Sequence, residues 1–584
     1  MHARKFTQIG PKRAKIVFYL FLAIGLFLTY KLFHVQVIEG PVLARAALAQ
    51  RSDTIDVFAR RGSILDRSGS VMVRSMPSES VYAVPHDLLD ADRAVTQLRA
   101  VFGKLDPAVI VTMHDKHMQF VWIARKVSHD AAERVRERNI SGIKIIEEDT
   151  GRRYDTVGRM ASTVLGFVGI DENGLDGLEY SFDNLLKGSS GKVSLEEDEF
   201  GRPLPFGHED IIKAARPGLN LELTLDSYLQ FVTERALDSQ VKLYHAQSGT
   251  AIVMDPQTGE VLALANSPNF DPNTFSKFPI GARRDRAVED AYEPGSTYKL
   301  VTAAAALDSG KVTTRTGFPV SDTLEVGGRT IHNADDGFIG NANGTETLKE
   351  IIQDSLNVGA ARVGIAIGAK TFYAMERKAG FGIPTQIGLP GENPGIVPAP
   401  AQWSDSSLAT MSFGQGVAVT PIALTRFYCA IANGGVLLRP RILDAIADAQ
   451  GKVLYRYKPE VEHRIFSKTT AATLRGFLRA VVLHGTGNPS AQIPGYTTAG
   501  KTGTAQMALN GTYESGAYVA SFIGMIPAEH PRYVIYVKVE RPQGAIYGSV
   551  VAAPAFVQIA KAAMLHSGNL PAVERLVRPT AKPK

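Results

Sequence analysis

Ser296-Thr297-Tyr298-Lys299 stands directly after Glu293-Pro294-Gly295 and opens the run Leu300 to Leu307. Pro-Gly makes a turn, serine is favoured at a helix N-cap or first turn, and the alanines that follow favour helix. At spacing i, i+3 the serine and lysine side chains share one helix face. A serine hydroxyl attacks poorly unless a base takes its proton. A lysine can be that base where burial and the positive end of the helix dipole lower its pKa. The pattern alone is weak, because Ser-x-x-Lys also occurs at Ser141, Ser189 and Ser239. Ser189 falls in a Gly-rich turn and Ser239 late in a helical stretch; Ser296 alone has the turn-then-helix context.

Two further groups carry compatible chemistry. In Ser355-Leu356-Asn357, after a helical stretch beginning near Thr347, a hydroxyl can relay a proton and an amide can hold a substrate carbonyl. Ser-x-Asn recurs at Ser267 and Ser567, and an ordinary helix end would account for it equally. In Lys501-Thr502-Gly503-Thr504, lysine supplies charge, threonine hydroxyls can bind a carboxylate, and glycine lets a substrate backbone come close. Counting from Gly495, the same segment matches the phosphate-binding P-loop letter for letter. A P-loop needs a buried strand before it and a helix starting at its Lys-Thr. Here a Gly- and Pro-punctuated loop precedes the match and Gly503 follows at once, so a strand edge is the better reading. The thirteen histidines show no His-Glu-x-x-His spacing, and the single cysteine, Cys429, excludes an internal disulfide framework and any multi-cysteine metal site. Cys429 reads as helix packing and Glu260 as hairpin surface.

The elements that must position these groups follow Pro217-Gly218. Leu219 to Leu225 has strand periodicity and a helix starts at Ser227. Gly249 to Asp255 and Glu260 to Asn266 read as a hairpin, Ala517 to Ile526 and Tyr533 to Glu540 as strands, and Pro554 to Leu565 as a final helix. Strands at both ends of a long, Ala-rich helical middle predict an α+β domain whose sheet joins distant segments. Farther upstream, Ile16 to Tyr30 carries no charge and one polar residue, Thr29, and the apolar character runs on to Ile38. That length crosses a bilayer, with Lys31 and Tyr30 at the interface. Five basic residues precede the run, which places the N-terminus in the cytoplasm and the bulk of the chain outside. A cleaved signal peptide is the rival, disfavoured by the length of the run. The net charge of +6 would ordinarily suggest a polyanion partner, but residues 1–31 hold six basic residues and no acid, so the globular part is not basic and nucleic acid is not expected.

In the order Ser-x-x-Lys, Ser-x-Asn, Lys-Thr-Gly, each in a suitable context, the three groups are the signature of serine penicillin-recognising enzymes. The chain resembles class B penicillin-binding proteins, monofunctional D,D-transpeptidases of peptidoglycan synthesis. The likeness extends to Arg61-Gly62-Ser63-Ile64-Leu65-Asp66-Arg67-Ser68-Gly69, Gly174 to Glu179, Phe413-Gly414-Gln415-Gly416 and Tyr547-Gly548-Ser549. Asn357-Val358-Gly359 resembles the cell-division branch more than the elongation branch, while Tyr298 stands where Val or Phe is usual and Ser549 where Gly is frequent. The resemblance implies a penicillin-binding transpeptidase fold, an antiparallel sheet with helices on both sides, on an elongated N-terminal pedestal. It divides the chain into a cytoplasmic tail (1–15), transmembrane anchor (16–38), pedestal or dimerisation-like module (39–215), transpeptidase domain (216–566) and C-terminal tail (567–584). It implies catalytic roles for Ser296, Lys299, Ser355 and Lys501, substrate binding by Asn357, Thr502, Gly503 and Thr504, an oxyanion hole from the amides of Ser296 and Thr504, and no metal or organic cofactor. The implied partners are peptidoglycan stem peptides, β-lactams, a SEDS-type glycosyltransferase and other division proteins at the bacterial cytoplasmic membrane. A β-lactamase-like hydrolase or sensor, an elongation or sporulation enzyme, and an inactive scaffold are the competing readings.

Overall fold

A computed structural model of the chain describes residues 10–57, 59–196, 209–333, 344–509 and 512–571. The outer parts of both expected tails, 1–9 and 572–584, lie outside the described residues. The chain forms two compact units, one of residues 1–59 with 189–216 and one of residues 60–188 with 217–584. The first contains the helix Pro11–Phe33, continued as a wider-wound turn to Ile38, with no residue buried against protein. It also holds a three-stranded antiparallel sheet of Ser52–Val57, Gly191–Glu196 and Glu209–Lys213.

In the second unit a five-stranded antiparallel sheet is built from β1 (Ser248–Met254), β2 (Val261–Ser267), β3 (Ala499–Leu509), β4 (Thr512–Ile526) and β5 (Tyr533–Glu540), in the order β2-β1-β5-β4-β3. Segments far apart in the chain therefore share one sheet, as the strand pattern predicts. Successive residues of a strand face opposite sides, and here both sides are covered. Ile252, Met254, Val534 and Tyr536 face one apolar core, while Ala251, Val253, Ile535 and Val537 face another. The first core is closed by α2 (Lys299–Asp308), α3 (Leu348–Gln353), α4 (Asn357–Ile367), α5 (Ala369–Lys378), α6 (Pro421–Ala432) and α7 (Lys468–Leu483). The second is closed by α1 (Ser227–Leu243) and α8 (Ala553–His566). Burial on both faces explains the apolar runs Ala251 to Met254 in β1 and Tyr533 to Val537 in β5. Helix α2 is the hub: Leu300 to Ala306 are all buried, and its alanines let neighbouring elements approach. Cys429 packs in α6 at 3% exposure. Glu260, read above as hairpin surface, is instead drawn inward, its carboxylate paired with Arg441 and, at 3.6 Å, with Arg67.

The two upstream motifs meet in a buried ionic cluster. The Arg61 guanidinium donates to Glu179 Oε2 at 2.7 Å, to Asp183 Oδ1 at 2.6 Å and to the carbonyls of Glu172 and Glu179. Arg153 Nε donates to Glu179 Oε1 at 2.6 Å. The side chains of Arg61 and Glu179 are each 1% exposed. The chain next to Arg61 must be bare, because a Cβ on Gly62 would lie 1.9 Å from the Leu219 carbonyl oxygen. Asp66 accepts from Ser227 Oγ at 2.5 Å, joining the same motif to the start of α1. Removing one member of such a cluster leaves uncompensated buried charge. Arg61→Ala is expected to lower unfolding free energy by about 3–5 kcal/mol, read by denaturation of the full-length protein in detergent; a loss of under about 1 kcal/mol, the range of a surface pair, would contradict the cluster's structural role.

Candidate active site

The serine turn is held by glycines. Gly295, at φ +55°, donates its N–H to the Gly414 carbonyl at 3.0 Å, and Gly414, at φ +85°, passes so close that a Cβ there would sit 2.2 Å from the Gly295 oxygen. A side chain at Gly414 would open this crossing, while one at Gly295 would crowd Ala505, its Cβ 3.1 Å from that residue's Cβ. Gly295–Tyr298 forms a single 3-10 turn that runs directly into α2 at Lys299. In a 3-10 turn residues i and i+3 eclipse, so Ser296 and Lys299 fall on one face. Thr297 fastens the turn, donating to the Pro294 carbonyl, and Tyr428 donates to the Thr297 carbonyl, each at 2.8 Å. Ser296 is half-buried and Lys299 is fully buried.

Ser355 sits where most helices place glycine. Helix α3 begins with a capping box, the Thr347 hydroxyl and the Glu350 carboxylate satisfying each other's backbone N–H groups. It ends with Ser355 at φ +59° and Leu356 N–H bonded to the Ile351 carbonyl at 3.0 Å, the 6→1 bond of a Schellman motif. A non-glycine residue in this region costs about 1 kcal/mol or more and persists where surroundings over-determine it. What holds it is visible. Lys299 Nζ donates to the Ser355 carbonyl, to Ser355 Oγ at 3.2 Å and to Asn357 Oδ1 at 2.7 Å. Asn357, the first residue of α4, turns its amide nitrogen to the His332 carbonyl at 3.0 Å.

Lys501 enters from the sheet. It lies in β3, the outermost strand, and is fully buried; its Nζ donates to Ser355 Oγ at 2.9 Å and to the Thr502 carbonyl at 3.2 Å. Burial lifts the neighbouring Asp354 carboxyl, with the Lys501 charge pulling the other way. The segment matching the P-loop thus enters a strand at Ala499, with no helix at its Lys-Thr. Gly503 is required for contact, since a Cβ would meet Ser521 Oγ at 2.4 Å and Thr297 Cγ2 at 3.0 Å. Thr502 and Thr504 flank it; Thr502 Oγ1 is 2.8 Å from Thr486 Oγ1, and Thr504 Oγ1 accepts from Gly548 N–H at 3.4 Å.

Ser296, Ser355, Asn357, Thr502 and Thr504 line one cleft of about 320 Å³. Gly295, Phe413, Gln415, Thr486, Gln506, Tyr518, Ile546 and Tyr547 complete it. The structure therefore brings the three motifs together, with Lys299 and Lys501 behind the wall and Gly503 in the strand between its threonines. Thr486, Gln506, Tyr518 and Ile546 were not anticipated as lining residues; they belong to no short motif, and only tertiary folding puts them here. Larger clefts, of about 570, 560, 550 and 350 Å³, lie elsewhere and share no lining residue with this one. Such a constellation offers a hydroxyl nucleophile, lysine amino groups around a second hydroxyl that can relay a proton, and hydroxyls suited to an anion. Behind it, Tyr298 donates to Glu376 Oε1 at 2.9 Å, and burial pushes that carboxyl up to about 8 against the opposing effect of the tyrosine bond.

Two outcomes follow. Ser355→Gly should be more stable than Ser355→Ala by about 1 kcal/mol, because only glycine relieves the left-handed backbone; equal stabilities in denaturant titrations would contradict the strain. For Glu376, the folded-state carboxyl stays protonated while the unfolded one ionises, so the wild type loses stability as pH rises from about 5 through about 8. Glu376→Gln has no such proton, and its melting temperature relative to wild type should climb across that window; a constant difference would contradict it.

Comparison with known proteins agrees with this geometry. The family model of the penicillin-binding protein transpeptidase domain matches residues 249–561, and that of the penicillin-binding protein dimerisation domain matches residues 56–223. The chain is 33% identical over 542 residues to the peptidoglycan D,D-transpeptidase FtsI of Escherichia coli, covering 91% of this chain and 87% of the relative. It is 34% identical over 550 residues to the stage V sporulation protein D of Bacillus subtilis, covering 93% and 84%. Its structure is similar to that of penicillin-binding protein 3 from Mycobacterium tuberculosis complexed with aztreonam, with a TM-score of 0.67 and 30% identity over 90% of this chain and 99% of the other. With three motifs converging on one cleft and both family models matched in order, the chain belongs to the class B penicillin-binding proteins, serine-type D,D-transpeptidases of peptidoglycan synthesis.

Proposed function

We propose that Ser296 is the acylated residue and that the same serine reacts with β-lactams. Ser296 Oγ attacks the carbonyl carbon of the penultimate D-alanine of a stem pentapeptide; the bond from that carbon to the nitrogen of the terminal D-alanine breaks, and D-alanine leaves as the amine. Lys299, acting as the neutral amine, takes the serine proton and so becomes the proton donor that Ser355 relays. Ser355, between Lys299 and Lys501, passes a proton to the departing amine. Asn357 orients the donor peptide, Thr502 and Thr504 bind its terminal carboxylate, and Gly503 lets the peptide lie against β3 as an added strand. The amides of Ser296 and Thr504 form the oxyanion hole. An amine of a second stem then attacks the acyl-enzyme, restoring Ser296 and forming the crosslink. The observation that carries this reading is the approach of Lys299 Nζ and Lys501 Nζ to one hydroxyl, Ser355 Oγ, at 3.2 and 2.9 Å, in the cleft that Ser296 lines.

The site of action is proposed as the division septum. The Asn357-Val358-Gly359 sequence and the relative named FtsI support this, and the relative named stage V sporulation protein D makes spore formation the alternative. The helix Pro11–Ile38 is long and apolar enough to cross a membrane. With basic residues ahead of it, we place the N-terminus in the cytoplasm and the catalytic cleft outside. Residues 39–215 are proposed as the pedestal that meets a SEDS-type glycosyltransferase and other division proteins.

Fluorescent penicillin gives the test. The full-length protein should form a stable adduct that Ser296→Ala abolishes and that Lys299→Ala slows by more than about 100-fold, the scale of a lost general base. Rapid drug turnover would mark a hydrolase, and absence of label on folded protein would mark a scaffold; either result overturns the proposal. A functional fluorescent fusion should concentrate at midcell, and uniform or spore-restricted signal would overturn the septal assignment.

A further inference from the structure

Lys299, Lys501 and Lys538 are each 0% exposed. The first two belong to the cleft; Lys538, in β5, touches none of its lining by any hydrogen bond described. Its Nζ donates to Glu540 Oε1 at 2.6 Å and lies 4.7 Å from the centre of the Tyr292 ring. Glu540 also accepts from the Ser248 hydroxyl, and its carboxyl is held down at about 2: burial opposes this, but the Lys538 charge and hydrogen bond outweigh it. Two residues away on the same face of β5, Tyr536 bonds its hydroxyl to that of Tyr292. One strand therefore presents Tyr536, Lys538 and Glu540 in a row toward the first core. Across the sheet the register continues the polar line: Gly503 opposes Ser521, Ser521 opposes Lys538, Lys538 opposes Thr250, and Thr250 opposes Asn266.

A buried ion pair is a poor source of stability, because desolvation costs several kcal/mol per ion and apolar replacements of similar size often do as well. What this pair does geometrically is seat Tyr292. The ring rests over the ammonium group, an attraction that strengthens when desolvated, and its hydroxyl is tied to Tyr536. Its backbone is bound on both sides, N–H to the Val419 carbonyl at 3.1 Å and carbonyl from Val419 N–H at 3.0 Å. Tyr292 leads directly into Glu293-Pro294-Gly295-Ser296. The next side chain, Glu293, accepts from Gly416 N–H and Tyr513 Oη, each at 2.9 Å, so the approach to the nucleophile is fixed from successive residues.

We propose that Lys538, Glu540 and Tyr536 are positioning residues for acylation, acting by seating Tyr292 and, through it, the turn that carries Ser296. This rests on the acylation of Ser296 proposed above. The test neutralises both charges together, as Lys538→Met/Glu540→Gln, in the full-length protein in detergent, so that no lone buried charge remains. Amide hydrogen exchange over residues 292–299 should quicken by about tenfold. The acylation rate constant for fluorescent penicillin should fall by about tenfold while the dissociation constant of the initial complex stays within about twofold, as misplacement of a reacting group requires. Should the double variant fail to fold, Tyr292→Leu removes the seat, leaves the ion pair and is expected to give the same pattern. Exchange and acylation both within about twofold of wild type, whatever the melting temperature, would overturn the proposal. A wild type that takes no penicillin would overturn the acylation reading alone, and the exchange measurement would still decide whether the seat exists.

Discussion

Two buried lysine amino groups approach one hydroxyl. Lys299 from a helix and Lys501 from a strand both reach Ser355 Oγ, and every other feature of the cleft can be read as what makes that arrangement tolerable. Lysine amino groups withdrawn from water need acceptors. Lys299 has the Ser355 carbonyl and Asn357 Oδ1; Lys501 has the Thr502 carbonyl and, at 3.4 Å, the Thr502 hydroxyl. The backbone of Ser355 adopts a left-handed conformation that turns both its carbonyl and its hydroxyl toward them. Strain at that residue and satisfaction of the two lysines are the same structural fact.

The three contributing segments come from different parts of the fold, so their convergence depends on packing between layers. The alanine-rich α2 lies within the first core and fixes Lys299. The capping box of α3 sets where that helix starts, and its Schellman end sets where Ser355 stands. Among the described residues β3 is the last strand of its sheet, an edge that suits the arrival of an extended peptide. Gly503 and Gly414 keep the strand and the serine turn in backbone contact. Beneath them the row Tyr536, Lys538, Glu540 forms a second polar layer, separated from the chemistry but joined to it through Tyr292.

Much of this was legible in the residues, for reasons that can be named. Turn residues before an alanine run mark the start of α2 and so place Ser296 and Lys299 one turn apart. Apolar runs at both ends of a helical middle mark the sheet, and the absence of any helix signal after Lys501 separates a strand from a P-loop. Other features have no local signature. Ser355 occupies a position where glycine is the usual choice, so only its contacts reveal why serine is kept. Glu260 looked like surface because its partners, Arg441 and Arg67, are remote in sequence. Thr486, Gln506 and Tyr518 reach the cleft from a loop and two strands that no periodicity brings together. Lys538 interrupts an apolar strand by one residue, a pattern that reveals a buried charge only once Glu540 and Tyr292 are placed beside it.

The central claim is that Ser296 carries the acyl group while Ser355 and the threonines of β3 serve it. A crystal structure of the protein after reaction with a penicillin tests this most directly. Density should run continuously from Ser296 Oγ to the opened lactam carbonyl, with Ser355 Oγ within hydrogen-bonding reach of the former ring nitrogen and the drug carboxylate on Thr502 and Thr504. An adduct on Ser355, or a carboxylate directed away from both threonines, would contradict it.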